Sequence, residues 1–357
     1  MKRLLAVSAV AAVVGMWGPA LAQIPDGYDS SYTQTVDAAA LEGVVTVYTT
    51  TDETEVADLL AGFHALRPNI WVEYDELNST ELYDRFLSEA VAGKVSGDLV
   101  WSSAMDQQMK LVNDGYAATY ASPEAARLPQ WAVWSYQAYG VTAEPVAIAY
   151  NKGLLPGPEI PKTHTDLAQL LADKADAFKG KVATYDPERS AVGLLFITQD
   201  VQITKSTWDL VRAMGEAGAK LYSTTSTMLD RVAAGDQLIA YNTIGSYGVE
   251  RAKVEPSLGI VLPTDYTIVM SRIAFIPKGA PHPNTAKLLL DYLLSKDGQT
   301  RLAARSLGSV RDDVPANLIE QENSFRPIRV GPELLTYLDQ AKRNRFLKDL
   351  RRALQTH

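Results

Sequence analysis

Val44-Val45-Thr46-Val47-Tyr48 runs into Thr49-Thr50-Thr51-Asp52, and a helical pattern begins at once with Glu53. Five further segments repeat this form. Val72-Glu73-Tyr74-Asp75 leads into Asn78-Ser79-Thr80-Glu81, and Leu99-Val100-Trp101 into Ser102-Ser103. Val182-Ala183-Thr184-Tyr185 leads into Asp186 to Ser190, Ser223 to Thr227 precedes Met228, and Leu238-Ile239-Ala240-Tyr241 leads into Asn242-Thr243. A short apolar run followed by an amphipathic helix reads as a strand–helix unit, and its repetition predicts an α/β chain with parallel sheets. Hydroxyl, carboxylate and carboxamide groups are favoured there because they accept from the N–H groups that a first turn leaves free. At any single site capping alone accounts for the cluster. Three sites on either side of a central interruption predict more: two similar lobes facing a shared gap, where first-turn N–H groups and helix dipoles favour an anion.

Outward from the first unit, Glu53 to Leu66 carries Val56, Leu59, Leu60, Phe63 and Leu66 at helical spacing and stops before Pro68. Thr80 to Ala92 and Met105 to Asn113 are further helices, stopped by Gly93 and Gly115. The interruption is Trp131 to Tyr150, rich in aromatic and β-branched residues, followed by the proline-rich Leu154 to Pro161. Helices then follow at Thr165 to Ala172, from Ala191, at Lys205 to Ala217 and at Met228 to Ala234. Extended runs near 146–151 and 268–277 bracket this second unit, so the chain is expected to leave one lobe, build the other and return. Two crossing strands between lobes make a hinge. The predicted division is a polar lead-in over 23–43, a first lobe over 44–145, a second over 146–268, and the return with C-terminal helices over 269–357.

Met1-Lys2-Arg3, the apolar run Leu4 to Met16 and Ala20-Leu21-Ala22 form the three parts of a cleavable export signal over 1–22. The run is too short to span a bilayer. The 357 residues, 46% hydrophobic and 21% charged, suit a globular chain of about two domains. With no cysteine, disulfides, thiolate metal sites, a cysteine nucleophile and a lipid-modified cysteine are all excluded. A net charge of −8 excludes a broad basic surface for nucleic acid. The basic residues Lys342, Arg343, Arg345, Lys348, Arg351 and Arg352 interleave with leucines near the C-terminus, a pattern read as the solvated face of a terminal helix. An exported hydrolase finds no support: Gly245-Ser246-Tyr247-Gly248 lacks the Gly-x-Ser-x-Gly spacing, and the four histidines are scattered. No cofactor is called for.

The order of these segments resembles the type II periplasmic substrate-binding proteins of ABC transporters, in the group that includes the ferric-ion-binding proteins. Its carriers are Val45-Thr46-Val47-Tyr48, Asp98-Leu99-Val100-Trp101-Ser102-Ser103, Val146-Ala147-Ile148-Ala149-Tyr150-Asn151-Lys152 and Gly235 to Asn242, with the late helix pair from Ala286 to Gln299. The resemblance implies a two-lobed fold with two crossover strands as hinge, a periplasmic monomer without enzymatic activity, and membrane permease subunits as partners. Ferric-binding members hold iron with a His after the first strand, a Glu after the third and two adjacent Tyr in the second lobe. Those positions here are Asp52, Ser103 and Asn242-Thr243, although Tyr241 and Tyr247 lie nearby. The family's anion site resembles Asp186 to Gly193, with Ser190 as its hydroxyl. The transport role is therefore implied more firmly than iron.

The expected lining is Thr49, Thr50, Thr51, Ser102 and Ser103 on one lobe and Ser190, Thr225, Ser226, Asn242 and Ser246 on the other. Such neutral donors suit an oxyanion, and the reading is a small anionic solute: a phosphate ester, a phosphonate or a carboxylate. Arg189 or Arg272 would add a charge-assisted bond, or be structural. Asp52 and Asp265 suit a hydroxyl-bearing or cationic end of the ligand, or are cap and turn carboxylates. Tyr241, Tyr247 and Tyr266 either wall the pocket or belong to the core. Ferric transport and ligand sensing for a receptor kinase remain the alternatives.

Overall fold

A computed structural model of the chain describes residues 24–25, 27–315 and 324–355. The expected signal at 1–22 lies outside them. Among the described residues no helix is long and apolar enough to cross a membrane.

The first part runs α1 (Tyr32–Glu42), β1 (Val44–Thr49), α2 (Glu53–Leu66), β2 (Trp71–Glu76), α3 (Ser79–Val91), β3 (Leu99–Ser102), α4 (Met105–Asn113), β4 (Val133–Trp134) and β5 (Ala138–Gly140). The second runs β6 (Glu144–Asn151), α5 (His164–Asp173), β7 (Val182–Tyr185), α6 (Ala191–Ile203), α7 (Thr207–Glu216), β8 (Lys220–Tyr222), α8 (Thr225–Ala233), β9 (Ile239–Ile244), α9 (Gly245–Val254), β10 (Leu258–Val261) and β11 (Thr267–Met270). Then come β12 (Ile273–Phe275), α10 (Pro283–Leu294), α11 (Lys296–Ala304), β13 (Phe325–Pro327) and α12 (Gln340–Leu354). These build two sheets, one ordered β2-β1-β3-β12-β5-β4 and one ordered β13-β11-β6-β9-β7-β8 with β10 also on β6.

In each sheet the strands that feed helices run parallel: β2, β1 and β3 in one, β8, β7 and β9 in the other. Their buried faces follow from sequence. All four residues of β3 and of β7 are buried, as befits central strands covered on both faces. Both β12 against β3 and β6 against β9 are antiparallel. The start of β12 therefore lies beside the end of β3, and the start of β6 beside the end of β9. All the parallel strands thus end at the level where the chain changes sheets. It crosses at 141–143 and recrosses at Ser271-Arg272. The sequence places these boundaries at 145/146 and 268/269; the expected single run 268–277 is two short strands in different sheets.

Three other differences have local causes. The lead-in contains α1, whose Tyr32, Val36 and Ala39 are buried against α10; its polar residues are the outer face of an amphipathic helix, not a loop. Strand β9 continues through Asn242 and Thr243, which the sequence assigns to a turn. Asn242 takes a left-handed backbone (φ 60°), beside a register slip opposite Ala147 and Ala149. Asn tolerates that region better than most residues. The C-terminal segment does not simply return to the first lobe. The turn Pro332–Tyr337 packs on α4, but α12 buries Phe346, Leu347, Leu350 and Ala353 against the second-lobe helix α7. Lys342, Arg345, Lys348 and Arg352 face solvent, as that pattern predicts.

The α1–α10 contact encloses Asp291, whose Oδ2 accepts from Tyr32 and Tyr120 at 2.6 Å each. Burial drives this carboxyl up to about 6, against the pull of Ser122, Tyr120 and Tyr32. A raised folded pKa means the protonated folded form is favoured. Its contribution is intact below about pH 4 and is lost as the pH rises through about 6. Asp291→Asn, neutral throughout, should therefore gain on the wild type by up to about 3 kcal/mol between acid and neutral pH, read from urea midpoints at both; a difference that stays flat with pH contradicts this.

Candidate functional site

The loops that follow both sets of parallel strands meet where the chain changes sheets, the usual position of ligands in open α/β sheets; their Thr49, Thr51, Ser102, Thr225 and Ser246 are buried. On the first lobe, Thr49 closes β1 and its Oγ1 accepts from Thr51 N–H at 3.0 Å, which tightens the turn into α2. Thr50 Oγ1 accepts from Ser103 N–H at 2.9 Å and lies 3.1 Å from Ser103 Oγ, so the β1–α2 and β3–α4 loops are tied together. Ser102 ends β3 and accepts from Ala104 N–H at 3.2 Å. Asp52 is the N-cap of α2 but makes no side-chain cap bond. Its Oδ1 instead accepts from Tyr247 Oη of α9 at 3.0 Å, directly across the gap.

On the second lobe, Ser246 and Tyr247 occupy the first turn of α9. Thr225 opens α8, where its Oγ1 accepts from Ile244 N–H at 3.1 Å and pairs with Tyr185 Oη. Ser190 is the N-cap of α6 and accepts from Gly193 N–H at 3.2 Å. Gly193 is required there, since a Cβ would sit 2.4 Å from Tyr185 Cβ; the close approach of α6 to β7 depends on its absence.

The crossing segments form the floor. Arg272 and Glu144, both fully buried, are joined by Nε to Oε1 at 2.8 Å and Nη2 to Oε2 at 3.1 Å. Arg272 Nη1 donates to Thr50 O at 3.3 Å and to Thr51 Oγ1 at 3.1 Å. Glu144 also accepts from Thr142 Oγ1 at 2.8 Å and Ser246 Oγ at 2.5 Å. Burial alone would depress the guanidinium, but Glu144 and Tyr247 more than offset it and hold Arg272 above its ordinary range. Its carbon Cζ lies 5.4 Å from the centre of the Tyr247 ring. Burial pushes the Tyr247 hydroxyl up to about 12; Arg272 draws it down, and Asp52 and Glu144 push it up.

Tyr241, Asn242 and Asp265, expected in the gap, turn their side chains elsewhere. Asp200 of α6, fully buried, accepts from Tyr241 Oη (2.8 Å), Asn242 Nδ2 (2.7 Å) and Tyr266 Oη (3.0 Å). Asp265 pairs with His164 Nδ1 at 2.9 Å, and the His164 ring stacks on Tyr266 at 4.0 Å. A buried carboxylate needs donors on every lone pair, and Asp200 recruits them from β9 and from the residue just before β11. Thr243 Oγ1 goes to Ala147 O. Sequence reasoning missed Glu144, Tyr74 and Tyr185. Tyr74 Oη donates to Thr51 O at 2.8 Å, and both tyrosines feel the charge of Arg272 and Tyr247. An acidic residue and an arginine on the two crossing segments were a signal that a pairing of those segments would have exposed.

Residues 58–324 match the model of a family described as bacterial extracellular solute-binding protein. The substrate-binding protein of an ABC transporter from Agrobacterium tumefaciens is 39% identical, over 87% of this chain and 94% of its own, with a TM-score of 0.82. Two others share the fold at 16% identity. Iron-bound HitA from Pseudomonas aeruginosa aligns over 87% of this chain and 99% of its own (TM-score 0.69). The periplasmic binding protein AfuA from Actinobacillus pleuropneumoniae, with fructose-6-phosphate bound, aligns over 88% and 100% (TM-score 0.72). No curated protein sequence matches the chain. The chain belongs to the bacterial extracellular solute-binding proteins and has the two-lobed type II periplasmic-binding-protein fold of ABC-transporter substrate-binding proteins.

Removing one member of a buried ion pair strands the other. Arg272→Met should cost about 3–5 kcal/mol in urea unfolding. The double variant Arg272→Met/Glu144→Gln should recover most of it; equal losses in the single and double variants would show that the pairing is not what stabilises the floor.

Proposed function

We propose that this solute-binding protein captures a small anionic organic solute, a phosphate ester, phosphonate or carboxylate, by closing its two lobes in the periplasm, and delivers it to the permease subunits of an ABC importer. One observation carries the reading. Helices α2, α4 and α9 all start at the gap with N-cap residues (Asp52, Ala104 and Ile244) that make no side-chain cap bond. They are joined through Thr50–Ser103 and Asp52–Tyr247. At α3 and α6, by contrast, Asn78 and Ser190 cap the first turn themselves. In α2 Glu53 N–H donates to Glu76 Oε2 at 3.0 Å, and in α4 Gln107 N–H donates to Asp106 Oδ1 at 2.9 Å. The other first-turn N–H groups, those of α9 above all, suit an oxyanion, and three helix dipoles add to the attraction.

Charge enters differently from a simple arginine clamp. Arg272 is neutralised by Glu144 within the floor, so the anion meets neutral hydroxyl and amide donors. Asp52 is the acceptor available to a hydroxyl or ammonium elsewhere on the same solute. Ligands held in both lobes favour the closed arrangement by their differential contacts. A ferric reading would draw on a phenolate pair; Asn242 and Thr243 stand in its place and direct their side chains to Asp200 and Ala147.

Isothermal titration with a sugar phosphate, an alkyl phosphonate, a dicarboxylate and Fe(III) tests this. At least one anion should bind, and Ser103→Glu, which sets a carboxylate just before the N-cap of α4, should weaken it by roughly tenfold or more. Tight Fe(III) uptake with no response to any of the anions would overturn the reading.

A further inference from the structure

Helix α9 meets the first lobe at a second point. Tyr247 and Glu250 are three residues apart and so share one face of the helix. Tyr247 reaches Asp52, and Glu250 Oε1 accepts from Ser306 Oγ, just beyond α11. Glu250 is largely buried there and also takes Lys253 Nζ at 2.6 Å.

Ser306 breaks a local rule. The end of α11 is a Schellman cap: Leu307 N–H returns to Leu302 O (3.1 Å) and Ser306 N–H to Ala303 O (3.0 Å). The residue at Ser306's position in this motif is left-handed, and Ser306 has φ 60°. Glycine takes that conformation freely, whereas serine is strained in it. A side chain kept at the expense of local backbone comfort has a compensating contact, and here the contact crosses to the other lobe.

We propose that Ser306 and Glu250 are positioning residues for solute capture: with Asp52 and Tyr247 they form a two-point latch that holds α9 against the first lobe and sets how long the closed gap retains its solute. The retention half rests on the solute site proposed above; the latch itself does not.

The chain has no cysteine, so nitroxide labels can be placed at Ala57→Cys on α2 and Val254→Cys at the exposed end of α9 without native background. Dipolar distance measurements on this protein, with no anion added, should show a short-distance population. Ser306→Gly should shift the closed-to-open ratio about fivefold toward open, the worth of one hydrogen bond. Its melting temperature should hold or rise, because glycine relieves the left-handed residue. Glu250→Ala should behave alike, and Glu250→Gln, which keeps an acceptor, should retain most of the closed form. With a sugar phosphate as probe, Ser306→Gly should raise the dissociation rate by the same factor and leave the association rate within about twofold. A wild-type distribution without the short population, or one that Ser306→Gly leaves unchanged, overturns the latch. If no anion probe binds the wild type, the solute reading fails while the distance result still decides the latch.

Discussion

The buried pair of Glu144 and Arg272 is the constraint on which the arrangement of this molecule turns. Each ion gives up several kcal/mol of hydration on burial, and only full use of its hydrogen-bonding groups offsets that. Arg272 meets the condition with Glu144, Thr50 and Thr51, and Glu144 with Arg272, Thr142 and Ser246. The partners sit on the two segments by which the chain changes sheets. The pair therefore fixes the register of those segments and, through its outer bonds, the loop before α2 and the first turn of α9. Both halves of the gap are referred to one buried charge pair.

Around that polar floor the lobes also share apolar surface. Helix α6 of the second lobe packs on α3 and α4 of the first, and one continuous hydrophobic cluster joins Phe86, Met105 and Phe275 to Tyr185, Val192 and Phe196. Each lobe keeps a core of its own besides, the first around Phe63, Trp101 and Tyr139 and the second around Leu171, Phe178 and Leu210. The lobes are therefore held to each other by apolar as well as polar contacts.

Much of this was legible in the sequence because it depends on short-range rules. Apolar runs ending in Thr, Ser and Asp clusters located β1, β3 and β7, and Pro68, Gly93 and Gly115 bounded α2, α3 and α4. The harder features depend on partners distant in the chain. Asn242 reads as a turn residue until Asp200, forty-two positions earlier, is seen to hold it within a strand. Glu144 and Arg272, 128 positions apart, read as ordinary charges until the two crossings are laid side by side. Helix α1 escaped because only Tyr32, Val36 and Ala39 face α10, too few apolar positions to outweigh the polar residues between them.

The C-terminal segment carries a mechanical consequence. After pairing β13 with β11, the chain sends Val330 N–H to Trp131 O, lays Pro332–Tyr337 on α4 and then carries α12 over to α7. Leu338 and Asp339 thus make a further passage between the lobes, braced by the contact of Tyr337 with Phe346 at 5.1 Å. Two adjacent strands yield to bending and to torsion alike. A further tether displaced from them leaves bending comparatively soft and stiffens torsion, which keeps the opposing helix ends in one alignment.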